Sequence, residues 1–86
     1  SILYREAELM DEQVGRAGIT CDGTRIFTRS IRDFKVRLWV LSHQAWKHEA
    51  TLWLFPPEGF NEAQFSPCGT RIITIDRNAV LVWRLS

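Results

Sequence analysis

The chain has 86 residues, is 45% hydrophobic and 24% charged, and carries a formal net charge of +1. That composition suits one small packed domain rather than a disordered segment, and the near-neutral balance gives no electrostatic case for a nucleic acid or an anionic membrane as partner. No apolar run approaches the roughly 20 residues of a bilayer span. The opening Ser1-Ile2-Leu3-Tyr4-Arg5-Glu6 has no basic stretch leading into an apolar one, so no signal peptide is predicted and a cytoplasmic setting is the expectation.

Residues 1–13 admit two readings. Leu3, Ala7, Met10 and Val14 lie at helical spacing, and Glu, Ala, Leu and Met favour helix. The repeat described below instead asks for an outer strand over 4–9, and strand is the preferred reading. Alternation and β-branched or aromatic enrichment then predict strands over 14–20, 25–30, 35–41 and 49–55. Cys21-Asp22-Gly23 and Arg32-Asp33 are the turns between the first three. The segment Pro56-Pro57-Glu58-Gly59 breaks the fourth strand, since proline cannot donate to a ladder and glycine permits a sharp turn. Three more strands follow over 60–66, 71–76 and 80–85, with Pro67-Cys68-Gly69 and Arg77-Asn78 as turns.

The second half repeats the first. Asp22-Gly23-Thr24-Arg25-Ile26-Phe27-Thr28 returns as Cys68-Gly69-Thr70-Arg71-Ile72-Ile73-Thr74, and Val36-Arg37-Leu38-Trp39 returns as Val80-Leu81-Val82-Trp83. A period of about 40–45 residues with a turn, a strand, a turn and a Trp-ended strand marks propeller blades. The predicted organisation is a first blade over 14–55 and a second over 56–86 that lacks its fourth strand. Residues 1–13 belong to a preceding or closing blade.

These turns and tryptophans resemble the WD-repeat family. Phe65-Ser66-Pro67-Cys68-Gly69-Thr70-Arg71-Ile72 is similar to that family's strand-and-turn signature, with Cys68 in place of aspartate, and Ile19 to Ile26 is a looser copy. The likeness implies an all-β fold of two four-stranded antiparallel blades of a WD-repeat-type β-propeller, its ring completed by further blades or by copies of the chain. It also implies a structural hydrogen-bond set, for which Ser30, Asp33 and Trp39 are the candidates in the first unit and Asp76 and Trp83 in the second. The family's Gly-His pair is missing at 10–13 and 56–59, and Val40 or Arg84 follows the tryptophan in place of aspartate. A buried polar set with missing members is costly, so packing of Trp39, Trp53, Trp83, Leu38 and Val82 is expected to carry the stability. Two blades leave large apolar flanks open; the chain is therefore expected to be a fragment of a larger propeller or a protomer that assembles with copies.

No catalytic set is expected. His43 and His48 lack a third metal ligand at sensible spacing. Ser30, Asp33 and His43 lack a nucleophile elbow, and no glycine-rich loop precedes a helix to cradle phosphate. Arg29, Arg32, Arg37 and Arg77 are interleaved with acids and read as a mixed-charge surface. Cys21 and Cys68 fall in equivalent turns and read as small turn residues, without the Cys-x-x-Cys spacing of a zinc site. Neither an enzyme activity nor a cofactor or metal is predicted. Trp46, placed in the segment between third and fourth strands, is either an interface anchor or a side chain folded over the blade edge. Loops before the first strands and between the second and third would share one propeller face. That puts Asp11, Glu12, Arg32 and Glu58 on a partner-contact rim, together with Asn61, Arg77, Asn78 and Trp46. The expected function is a non-catalytic protein-protein interaction scaffold, such as the sensor or interaction end of a larger multidomain protein. The alternative is a small oligomeric propeller that binds a ligand such as a sugar between blades.

Overall fold

The computed structural model describes residues 3–11, 13–33, 35–53, 63–76 and 79–85. Among them the chain is all-β, with seven strands: β1 (Val14–Ile19), β2 (Arg25–Ser30), β3 (Lys35–Ser42), β4 (Ala45–Trp53), β5 (Ala63–Phe65), β6 (Arg71–Asp76) and β7 (Ala79–Arg84). They form two antiparallel sheets, β1-β2-β3-β4 and β5-β6-β7, neither closed on itself. None of the described residues is helical, so no helix there is long and apolar enough to cross a membrane.

Two expected elements differ. Residues 4–9 form neither the outer strand nor the alternative helix; the described stretch 3–11 is irregular. A strand needs a partner edge, and this segment runs beside the end of the β3–β4 hairpin: Glu6, Ala7, Glu8 and Leu9 line one cleft with Leu41, Gln44 and Trp46. The fourth strand begins at Ala45, earlier than predicted. His43 and Gln44 take φ of 51° and 66°, closing a two-residue turn between the paired Ser42 and Ala45. Two left-handed residues match the right-handed twist of a hairpin. Because His-Gln is a poor turn sequence for that conformation, the hairpin was not legible from residue type.

Each sheet opens with the same turn. Gly23 and Gly69 sit at φ of 75° and 74°, where a Cβ is disfavoured. The Gly23 amide donates to the Thr20 carbonyl and the Gly69 amide to the Ser66 carbonyl, both at 2.9 Å. Beyond the turn, Leu41 N–H donates to Thr24 O and Leu85 N–H to Thr70 O, both at 2.8 Å. The repeated residues therefore build repeated hydrogen bonds.

Strand pairing divides each sheet into a front and a back. On sheet one, Phe27 pairs with Leu38, and with Val36 they form the front. Ile26 pairs with Trp39 and Thr28 with Arg37 on the back. On sheet two, Ile73 pairs with Val82 and Ile75 with Val80 on the front, while Ile72 pairs with Trp83 on the back. The core joins unlike faces: Phe27, Val36 and Leu38 from the front of sheet one bury against Ala63 and Ile72 from the back of sheet two, with Ala50, Leu52, Phe65, Trp83 and Leu85 packed around them. Phe27 and Phe65 meet edge-on, ring centroids 5.4 Å apart. Gly18, paired with Phe27, leaves room for that ring, on which an added Cβ would fall.

The packing expected of Trp53 and Val82 is not found. Trp53 is 73% exposed and Val82 62% exposed. Trp53 ends the outer strand of its sheet, where its ring meets the Lys35 ammonium at 3.6 Å, and Val82 points from the uncovered front of sheet two.

Candidate functional site

The most developed polar constellation lies on the back of sheet one. Trp39 Nε1 donates to Thr28 Oγ1 at 3.0 Å, and Thr28 Oγ1 donates to Asp11 Oδ2 at 2.7 Å. Arg37 donates to Asp11 Oδ1 at 2.7 Å through one terminal nitrogen and to Asp33 Oδ2 at 2.8 Å through the other. Asp33 Oδ1 accepts the Lys35 amide at 3.0 Å. Ser30 Oγ accepts the amides of Arg32 and Asp33 at 3.1 and 3.3 Å. A cation between two carboxylates and a buried hydroxyl is a satisfied network, and such sets hold one arrangement of the chain.

Electrostatics follow the contacts. The Arg37 guanidinium holds the Asp33 carboxyl down at about 2, and Asp33 in turn raises Arg37 further above its ordinary value. The Asp11 side chain is 3% exposed. Its two oxygens are both engaged, so the carboxylate is enclosed and paired rather than aimed at solvent.

That finding corrects the rim assignment of Asp11: it is a buried link in the network, drawn in by Thr28 and Arg37. Arg32 is exposed, in the turn after β2. Glu12, Glu58, Asn61, Arg77 and Asn78 lie outside the described residues. Trp46 is no loop residue; it is half-buried in β4 and paired with Leu41. With Glu6, Ala7, Glu8 and Leu9 opposite, it lines an open cleft of about 450 Å³.

The hydrogen-bond set expected from sequence is rearranged. Ser30 is fully buried, but it caps the turn through Arg32 and Asp33 rather than receiving an indole. The indole acceptors are Thr28 for Trp39 and, at 2.9 Å, Thr74 for Trp83. Both threonines end the repeated Arg-Ile-x-Thr stretch, so their recurrence was the available signal. Asp11 carried no such signal, because its segment has no counterpart in the repeat. The side chain of Asp76 lies outside what the structure describes.

The two repeat turns differ at one chemical position. In the first, Asp22 Oδ1 accepts the Thr20 hydroxyl at 2.7 Å, the Thr24 hydroxyl at 2.8 Å and the Thr24 amide at 3.0 Å. Those bonds, the one from Thr20 foremost, lower its carboxyl to about 2. In the second, the sulfur of Cys68 lies 3.0 Å from Thr70 Oγ1 and 3.5 Å from Ser66 Oγ. Hydrogen bonding to the sulfur, from Thr70 foremost, lowers its thiol to about 7.

The turns also touch. Cys21 Sγ donates to Pro67 O at 2.9 Å, and a Cβ at Gly69 would lie 3.1 Å from Thr20. Both cysteines are free and exposed. Among the described residues no three of His, Cys, Asp or Glu gather as a metal site requires.

Comparison with protein-family models, with curated proteins and with solved structures returned no match to this chain.

Proposed function

We propose that the two sheets are neighbouring blades of a WD-repeat-type β-propeller that acts as a non-catalytic scaffold for protein-protein interaction. In this reading the ring is completed by further blades, from the same polypeptide or from copies of the chain. The observation that carries it is the front-to-back packing. Unlike faces meet, so the contact is heterologous, and such contacts generate rings or open stacks rather than closed pairs.

The free faces fit that geometry. Phe27, Val36 and Leu38 are 2%, 0% and 3% exposed on the covered front of sheet one. Their repeat equivalents Ile73, Val80 and Val82 are 37%, 62% and 62% exposed on the front of sheet two. The first face is covered by the back of a sheet, and the second is an apolar surface of the same design that a further blade would cover. Arg16 Nε of β1 donates to Ala63 O of β5 at 3.1 Å, a polar link between the two sheets beside their apolar core. The indole–threonine bond recurs in both units, which marks them as one kind of module. The scaffold role rests on the family resemblance together with this architecture.

Sedimentation equilibrium of the 86-residue chain, compared with Val82→Asp, tests the reading. Self-association that the substitution abolishes is expected. A folded, monodisperse monomer for both chains would sink it.

A further inference from the structure

We propose that Cys21 and Cys68 form a peroxide-responsive dithiol, in which Cys68 is the reacting sulfur and Cys21 the partner that resolves it to a disulfide linking the two sheets. The inference does not depend on the number of blades. It rests on two cysteines brought together by contact between turns 46 residues apart, and on what surrounds each sulfur.

Proximity comes first. Cys21 Sγ lies 2.9 Å from the carbonyl oxygen of Pro67, the residue bonded to Cys68. Standard covalent geometry then bounds the separation of the two Cα atoms to about 8 Å. A disulfide spans roughly 4.4–6.8 Å between Cα atoms, so a shift on the order of 2 Å in two exposed turns suffices. The sulfur of Cys21 is turned toward the second turn, not away from it.

The environments divide the labour. Cys68 occupies the position that a carboxylate, Asp22, holds in the first turn, where two hydroxyls and an amide converge on one oxygen. Thr70 and Ser66 stand around the sulfur in the same manner. The Ser66 oxygen already accepts the Arg71 amide at 3.2 Å, which leaves its hydroxyl proton free to point at the sulfur. The same arrangement of donors that holds the Asp22 carboxylate favours the thiolate form of Cys68. Cys21 instead directs its S–H at the Pro67 carbonyl.

The chemistry balances with a hydroperoxide as oxidant. The Cys68 thiolate attacks one peroxide oxygen; an S–O bond forms, the O–O bond breaks, and the leaving oxygen takes up a proton as water or an alcohol. The Cys21 sulfur then displaces hydroxide from the sulfenic acid; the S–S bond forms, and the proton of the Cys21 thiol joins the hydroxide as water. Two thiols lose two electrons, and the peroxide gains them. In a reducing compartment such a bond is transient and reports redox state.

The thiolate fraction at neutral pH is about fifteen times that of a free cysteine, and the lower basicity costs roughly fivefold in nucleophilicity, leaving a net advantage of about threefold. The test exposes the dilute chain to hydrogen peroxide and maps disulfides without reduction. A Cys21–Cys68 bridge is expected, formed faster in the folded chain than in urea, with a rate that rises through a midpoint near pH 7. In Cys21→Ser a sulfenic acid on Cys68 should be trapped by a cyclic 1,3-diketone, and in Cys68→Ser trapping at Cys21 should be slower. Cys68→Asp, which restores the carboxylate, should fold like the parent and form no bridge between the two turns on exposure to peroxide. Only intermolecular bridges, equal rates folded and unfolded, or faster capture at Cys21 than at Cys68 would each overturn the proposal.

Discussion

The front faces of the two sheets hold the same repeat positions in opposite circumstances. Leu38 is packed into the core while Val82, its counterpart, stands in solvent. Val36 and Val80 divide in the same way. Strand, register and residue class are alike, so the difference comes from the neighbour: among the described residues, sheet one has another sheet in front of it and sheet two has none. The backs differ as well. Sheet one backs onto an irregular segment that supplies Asp11, whereas the back of sheet two, with Thr74 and Trp83, meets sheet one. Burial is thus a property of position in a stack, not of the module itself.

Substitution at paired positions separates the two surroundings. Leu38→Ala should cost about 2–4 kcal/mol, since it removes transfer energy and leaves a cavity. Val82→Ala should stay within about 0.5 kcal/mol as an exposed change. Urea unfolding of both variants measures the contrast, and equal costs would mean that the sheets do not pack front to back.

The polar backs offer the next contrast. Asp11→Ala removes one of the two carboxylate partners of Arg37 and the acceptor of the Thr28 hydroxyl, and should cost about 1.5–3 kcal/mol, the range for hydrogen bonds to charged groups. Thr74→Val removes only a neutral partner of Trp83 and should cost about 1 kcal/mol. Thermal unfolding followed by tryptophan fluorescence would rank the two; the reverse order would remove Asp11 from its central place.

The hairpin turn belongs to sheet one alone among the described residues. Gln44→Gly should stabilise the chain by about 1 kcal/mol, because glycine adopts the left-handed conformation without a Cβ penalty. A loss of stability in urea would indicate that the turn is not of the two-residue type.

The smallest expected effect is set by pH. The folded Asp33 carboxyl sits near 2, below its ordinary 3.8. The folded state therefore binds that proton less readily than the unfolded state, and the contribution of Asp33 is present above about pH 4 and lost as pH falls toward 2. Wild type and Asp33→Asn should differ in unfolding midpoint at pH 6 and converge near pH 2. A gap that persists in acid would assign the effect to something other than this carboxylate.

Several features of this molecule were readable before any coordinates. The glycines of the turns, the alternation in 35–41 and the Trp-ended strands specify strands and turns through local sterics and period, and the repeat states that the two units are alike. Thr28 and Thr74 could have been found from that same repeat. Other features were not local. Whether Asp11 is rim or network depends on Thr28 and Arg37, 17 and 26 residues away. Trp46 joins a strand because a turn of unfavourable residue type is tolerated once β4 pairs along β3.

By itself the sequence determined the strands that flank the two glycine turns, those turns and their duplication, because backbone sterics and side-chain periodicity act between near neighbours. Tertiary structure alone decided which faces are dry, which carboxylate is enclosed and which cysteines approach one another. Those outcomes depend on how one sheet lies on another, and identical residues in two modules acquire different environments according to what covers them.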